Sequence, residues 1–249
     1  MPLLADQGHG ELVACLEQIA SSTERPSAIL VISAHWEEPT ATLTQGANPP
    51  LIYDYYGFPK QAYSVQYPAP GNPALADRIC SLLSAQGVEA RLDDQRGFDH
   101  GVFVPLKIMY PDGDVPCVQL SLLNSLDPAQ HIALGRALSA LEHEGLWIIG
   151  SGMSFHNMGA LFNGPSAGDQ GMNESFEQWL VDTCANTGMD ENEREQRLHN
   201  WSRAPAARYC HPREEHLLPL HVCYGVAGRA CQQVFELEVM GAKVSMYLW

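Results

Sequence analysis

The sequence predicts a single-domain α/β fold, with a central, mostly parallel or mixed sheet flanked by helices on both faces. Three observations carry this. Short apolar runs of strand length alternate with segments of helical periodicity along the chain. Residues 28–34, AILVISA, are almost continuously apolar, as in a strand buried on both faces. At 249 residues and 45% hydrophobic content, the chain is long enough to bury one full core.

The elements follow in order. Residues 10–20 carry a helical stripe of Leu12, Val13, Leu16 and Ile19, and after the loop SSTERPS comes the strand at 28–34. Alternation at 40–44 suggests a second strand. Residues 48–73 are rich in Pro, Gly and Tyr and read as a long functional loop. Asn72 and Pro73 supply an N-cap and first-turn proline for a helix facing inward with Leu75, Ile79, Leu82 and Leu83. Strands are expected at 88–92, 115–120 and 146–149. Between the last two, Asp127 and Pro128 start a helix with Ile132, Leu134, Leu138 and Leu141 as its core contacts. Helices at 173–183 and 214–224 and a closing strand at 243–248 complete the chain, with no internal repeat.

Composition excludes several classes. Asp and Glu outnumber Lys and Arg by 29 to 14, a net charge of −15, which repels nucleic acid and anionic membrane surfaces. Seven cysteines without a CxxC pair do not form a disulfide framework or zinc ribbon and read as reduced thiols. No apolar run approaches the roughly 20 residues of a membrane span, and no signal-peptide pattern opens the chain. A soluble, cytoplasmic protein is expected, with a homodimer as the leaning for its oligomeric state.

Four histidines stand at element ends or in loops. His35 follows the 28–34 strand, at the end where open α/β sheets bind ligands. A polar ring ending a core strand costs free energy unless something binds it. His156 follows the 146–149 strand through GSGMSF, His100 lies in RGFDHG, and His216 lies in PREEHLLPL near the start of a late helix. Together they could converge on one rim. His131, His143 and His199 read as surface or hydrogen-bonded core residues.

Other motifs fall short. GSGMS lacks the second glycine of a nucleophile elbow. HPREEH spaces its histidines by five with Pro212 between them, unlike a zinc-protease helix. No nucleotide-binding glycine motif is present.

SAHWEE, YPAPGNPALA, GFDHG, SGMSFHN and EEHLLPL, in this order, resemble the class III extradiol ring-cleavage dioxygenases of the LigB-like, 4,5-DOPA dioxygenase branch. The resemblance runs over most of the chain, from about residue 25 to 249. It implies a non-haem Fe(II) enzyme, with Zn(II) also known in the site, acting on a catechol-type aromatic with O2. Position by position, it implies that His35 and His216 are metal ligands and that His156 is the acid/base. His100 is then a second histidine lining the substrate pocket. The resemblance also implies that residues 1–249 form one LigB-like domain lacking the family's N-terminal strand. That strand ends in the HGGGP-like motif with the remaining ligand, whereas this chain opens MPLLADQGHGEL. A truncated start is the expectation, with His9 as the nearby candidate for the missing ligand.

The resemblance further implies that His156 takes a proton from a catechol hydroxyl and later returns one, and that His100 hydrogen-bonds the oxygens. Tyr55, Tyr56, Phe58 and Tyr67 would wall the ring pocket, or simply pack the loop. The alternatives are a metal-binding homologue without oxygenase activity and a zinc-dependent small-molecule hydrolase.

Overall fold

The computed structural model describes residues 2–4, 7–141, 145–163 and 167–249; His143 lies outside them. After α1 (Gly10–Ser22), the first half runs β1 (Ala28–Glu38), β2 (Ala41–Thr44), α2 (Pro73–Ala85), β3 (Ala90–Asp93), α3 (His100–Met109) and β4 (Cys117–Leu123). Then come α4 (Pro128–Leu138), β5 (Leu146–Ser151), α5 (Met158–Asn163), α6 (Ala167–Ala185), α7 (Glu191–His199) and α8 (Ala207–Cys210). The chain closes with α9 (Leu218–Ala227), β6 (Gln233–Val239) and β7 (Ala242–Leu248).

The sheet is mixed, in the order β3-β2-β4-β1-β5. β1 pairs in parallel with β4 and β5, β2 pairs in parallel with β3, and the β2–β4 pair is antiparallel. β6 and β7 form a separate antiparallel pair. The central strand feeds two cores because successive side chains point to opposite faces. Ile29 and Val31 pack with residues of α1 and α3, whereas Leu30 and Ile32 pack with residues of α2, α4 and α9. Helices therefore cover both faces, as expected.

Four local differences from the sequence expectation have physical causes. β1 continues to Glu38, so His35 lies on the strand and not beyond it. Between the pairs Ile32–Leu120 and Glu37–Leu122, β1 advances five residues and β4 two, so 33–36 arch away from β4. That arch frees the His35 ring. His100 is the first residue of α3, not a loop residue, because the Asp99 side chain caps the helix by accepting from the Gly101 N–H. The last helix starts at Leu218, with Pro219 in its first turn, so His216 precedes it in a turn. Finally, β6 alternates Phe235, Leu237 and Val239 with polar neighbours, a half-solvated hairpin strand absent from the expected elements.

His131 is buried, with Nδ1 on the Asp127 carbonyl and Nε2 accepting the Leu123 N–H. It holds α4 against β4, as a structural histidine should. His199 is exposed. No described helix is long and apolar enough to cross a membrane.

Candidate active site

Local chemistry fixes each segment of the rim. Ser33 in the β1 arch donates to Asp99 at 2.8 Å, and Asp99 also accepts from Arg96 and Gln119, which locks the start of α3 beside β1. Gly101 has to be glycine here, since an added Cβ would crowd Ser33 and the His35 ring. The loop after β5 is tied to the segment before α9 by the Met153 N–H, which donates to the His216 carbonyl at 2.9 Å. His156 is held by its own N–H on the Cys210 carbonyl and by the buried Phe155 before it. Arg213 makes a paired contact to Glu37 at 2.5 and 2.7 Å, linking the end of β1 to the His216 segment.

The four sequence-predicted histidines come together in one row. Ring centroids are 3.9 Å apart for His100 and His35, 4.9 Å for His35 and His216, and 3.2 Å for His216 and His156. His9 is in neither histidine–carboxylate cluster; it sits in a short turn whose Gly8 carbonyl accepts from Met240.

Two carboxylates complete the row, and the motifs did not single them out. Asp54 lies between His35 and His100, and Glu215 lies between His156 and His216. Within each triad the possible ligand atoms are all within 4.8 Å of one another. Asp54 is the one acid in the aromatic loop, a signal visible in the sequence, whereas Glu215 is hidden among neighbouring acids. Nδ1 of His100 meets Asp54 Oδ1 at 2.8 Å, and Nδ1 of His216 meets Glu215 Oε1 at 3.0 Å. A carboxylate accepts only, so both rings donate from Nδ1 and leave Nε2 outside the pair.

Electrostatics favour neutral rings. Burial lowers the His35 pKa to about 4, helped by the neighbouring His100 ring. Burial lowers His216 to about 3, and its stacked neighbour His156 pushes the same way, against the opposing pull of Glu215. Burial alone would raise Asp54, yet the hydrogen bond from His100 brings its carboxyl below the usual range. The same contest, resolved by hydrogen bonds with His156 and His216, leaves Glu215 well below its usual value. Neutral imidazoles beside ionised carboxylates are ready for a divalent cation without losing a proton first.

The aromatic loop is folded on itself: Tyr53 donates to the Val65 carbonyl at 2.6 Å and Tyr55 to the Ala62 carbonyl at 2.5 Å. Tyr55 stands edge-on to the His100 ring at 5.4 Å. Tyr67 is buried in the core with Tyr110, and Tyr56 is 92% exposed. Of the four expected wall residues, Tyr55 makes a ring contact with a site histidine.

A rim of histidines and carboxylates beside strands of an α/β sheet is a donor set that could hold a metal ion. Comparison with known proteins supplies the family. Residues 7–248 match the family described as the catalytic LigB subunit of aromatic ring-opening dioxygenase. The chain belongs to the LigB family and is, in class, an aromatic ring-opening dioxygenase. It is 37% identical to "Dioxygenase tasH" of Hapsidospora irregularis, over 100% of this chain and 82% of that protein. It is 41% identical to the 4,5-DOPA dioxygenase extradiol of Beta vulgaris, over 83% of this chain and 75% of that one. A solved structure of an uncharacterized Escherichia coli K12 protein matches with a TM-score of 0.74 and 30% identity, covering 94% of this chain and 91% of that one.

Proposed function

We infer that this chain is an extradiol dioxygenase that opens a catechol-type ring with O2 at a non-haem divalent metal, Fe(II) in the working enzyme and Zn(II) as an inert substitute. The observation that carries it is the single row of four imidazoles with an ionised carboxylate at each end. The donor set fits a divalent first-row metal, because neutral nitrogen and anionic oxygen ligands suit such ions. His35 and His216 would hold it. When bound, the metal would make the catechol hydroxyls more acidic and bring ring and O2 together.

The chain's own residues supply the rest. His156, with Nδ1 3.6 Å from Glu215, is the group to take a hydroxyl proton and return it later. His100, whose Nδ1 is tied to Asp54, presents the other edge of its ring to the substrate oxygens. Tyr55 backs His100 and offers a ring edge to an aromatic substrate. The relatives named 4,5-DOPA dioxygenase make a catechol amino acid the first substrate to test.

The test is aerobic incubation of Fe(II)-loaded protein with a panel of catechols, following O2 uptake and the absorbance of a yellow ring-opened product. His156→Ala is expected to keep its metal and lose roughly 10²- to 10⁴-fold in turnover, the usual contribution of a general acid or base. Unaltered turnover in that variant would remove His156 from the role, and no O2 uptake with any catechol would remove the activity.

A further inference from the structure

We propose that His211 is a positioning residue: its buried ring fixes the strand exit that carries His156, and so sets where that imidazole stands. The inference deepens the reading above and rests on His156 being the acid/base. It starts from HPREEH, residues 211–216, which fits no zinc-protease helix yet puts two histidines on one short segment. His216 joins the histidine row, whereas His211 is fully buried and makes a single side-chain hydrogen bond. Its Nε2 lies 2.6 Å from the Ser154 carbonyl, and a carbonyl accepts only, so Nε2 carries the hydrogen and donates. Nδ1 is then a bare acceptor, buried with no hydrogen-bond partner among the described residues. An unpaired buried acceptor costs about 1–3 kcal/mol. A histidine kept at that cost points to the Nε2 donor as its purpose.

The ring has little freedom to swing, because Trp201 stands edge-on to it at 5.8 Å and Phe176 lies beside it at 5.5 Å. The neighbouring residue completes the grip. The Cys210 carbonyl accepts the His156 N–H at 2.9 Å, so residues 210 and 211 clasp the backbone on both sides of the buried Phe155. From the other direction the Ser154 hydroxyl accepts the Ser245 N–H at 2.8 Å, and the Met153 N–H donates to the His216 carbonyl. The His156 side chain is held less closely. Its Nδ1 stands 3.6 Å from Glu215, against 3.0 Å for His216, and its ring stacks on His216. The backbone therefore does much of the placing, and His211 holds that backbone. Because residues 210–216 also carry His216, the clasp sets the acid/base in register with the proposed ligand.

The test compares three variants. His211→Phe keeps a ring and loses the donor, His211→Gln puts an amide nitrogen where Nε2 stood, and the nitrogen of His211→Asn reaches only to the Nδ1 position. In Fe(II)-loaded protein turning over a catechol, His211→Phe and His211→Asn should lose about 10²-fold in kcat, as misplacement by about 1 Å does, with KM and iron content held. His211→Gln should recover most of that loss. On a His156→Ala background, His211→Phe should cost nothing further, since it acts through His156. Additive losses, equal losses in His211→Gln and His211→Phe, or a change confined to KM or iron content overturn the proposal. A second readout needs no turnover: ring ¹H–¹⁵N NMR spectra of the metal-free protein, in which the His156 signals are those missing from His156→Ala. They should move or broaden in His211→Phe and stay in place in His211→Gln; signals unmoved in His211→Phe overturn the proposal. If wild type turns over no catechol while the signals move as expected, the dioxygenase reading fails and the clasp on His156 stands. Circular dichroism checks folding, and His211→Asn stands in for His211→Phe if that variant is unfolded.

Discussion

A carboxyl group buried as deeply as that of Glu177 needs either a charge partner or a proton. Only 4% of the residue is exposed, Oε2 accepts from the Ser245 hydroxyl at 2.6 Å, and Oε1 has no hydrogen bond. Burial pushes its pKa up to about 7, with the neighbouring Ser245 and Ser154 hydroxyls partly offsetting it. Between the ordinary value of 4.5 and about 7, the native state holds a proton that the unfolded chain has released. Stability should therefore fall as pH rises through that window, by roughly 3 kcal/mol in total. The buried imidazoles of His131 and His211, both lowered to about 4 by burial, run the other way and lose stability as pH falls from 6.5 toward 4. Comparing variants isolates the carboxyl. Glu177→Gln should be more stable than wild type at pH 8 and nearly equal to it at pH 4.5, measured by urea unfolding; parallel pH curves would rule this out. The consequence reaches the site, because the Ser154 hydroxyl accepts the Ser245 N–H and Ser154 lies two residues before His156. At this scale the four clustered histidines are legible in the sequence: His35 ends an apolar run, His100 and His156 follow glycine-bearing segments, and His216 stands just before the apolar start of a late helix. Asp54 is not, because what gives it meaning is a separation of 3.6 Å from a residue 19 positions earlier.

Elements meet at this site through glycines, and that closeness can be tested. Gly152, just past β5, approaches the His216 carbonyl so nearly that an added Cβ would overlap it. Gly135 of α4 and Gly225 of α9 likewise face each other's helix backbone, at the Val222 and Ile132 carbonyls. These contacts let α9, which follows His216, lie directly on α4. Gly152→Ala should cost about 1–3 kcal/mol, as overpacking does, and should weaken metal binding by shifting His216. Gly171→Ala is the control: its site in α6 has nothing within 4 Å, so alanine should stabilise by about 0.5–1 kcal/mol. Equal effects of the two changes on metal affinity would show that Gly152 does not position His216. The five strands of the main sheet and the helices starting at Pro73 and Pro128 are legible because caps and apolar periods agree. α3 is not, because Pro105 inside it and the glycines around His100 imitate a loop. Its helical state comes from Asp99, which is fully buried and bound by Ser33, Arg96, Gly101 and Gln119. No local pattern encodes that four-way anchorage.

Across the whole molecule, the site gathers β1, the aromatic loop, the start of α3, the exit of β5 and the turn before α9, spanning residues 35 to 216. A cation bound there would tie the two halves of the chain together, while the surrounding charge of −15 draws cations in and repels the native surface against itself. A ligand that binds only the folded state stabilises it by about 2.7 kcal/mol at 100 times its Kd. For a chain of this length that is a rise of roughly 5–10 °C in Tm. Zn(II), which has no redox chemistry, should produce this rise in calorimetry, and EDTA should reverse it. His35→Ala should lose most of the shift, because one of the two proposed imidazole ligands would be gone. The high negative charge supplies the competing explanation, in which Zn(II) acts through scattered surface carboxylates. In that case the shift would be the same in wild type and His35→Ala and would fade as salt screens the surface. A shift that survives 0.3 M NaCl in wild type and is absent from His35→Ala locates the stabilisation at the histidine row.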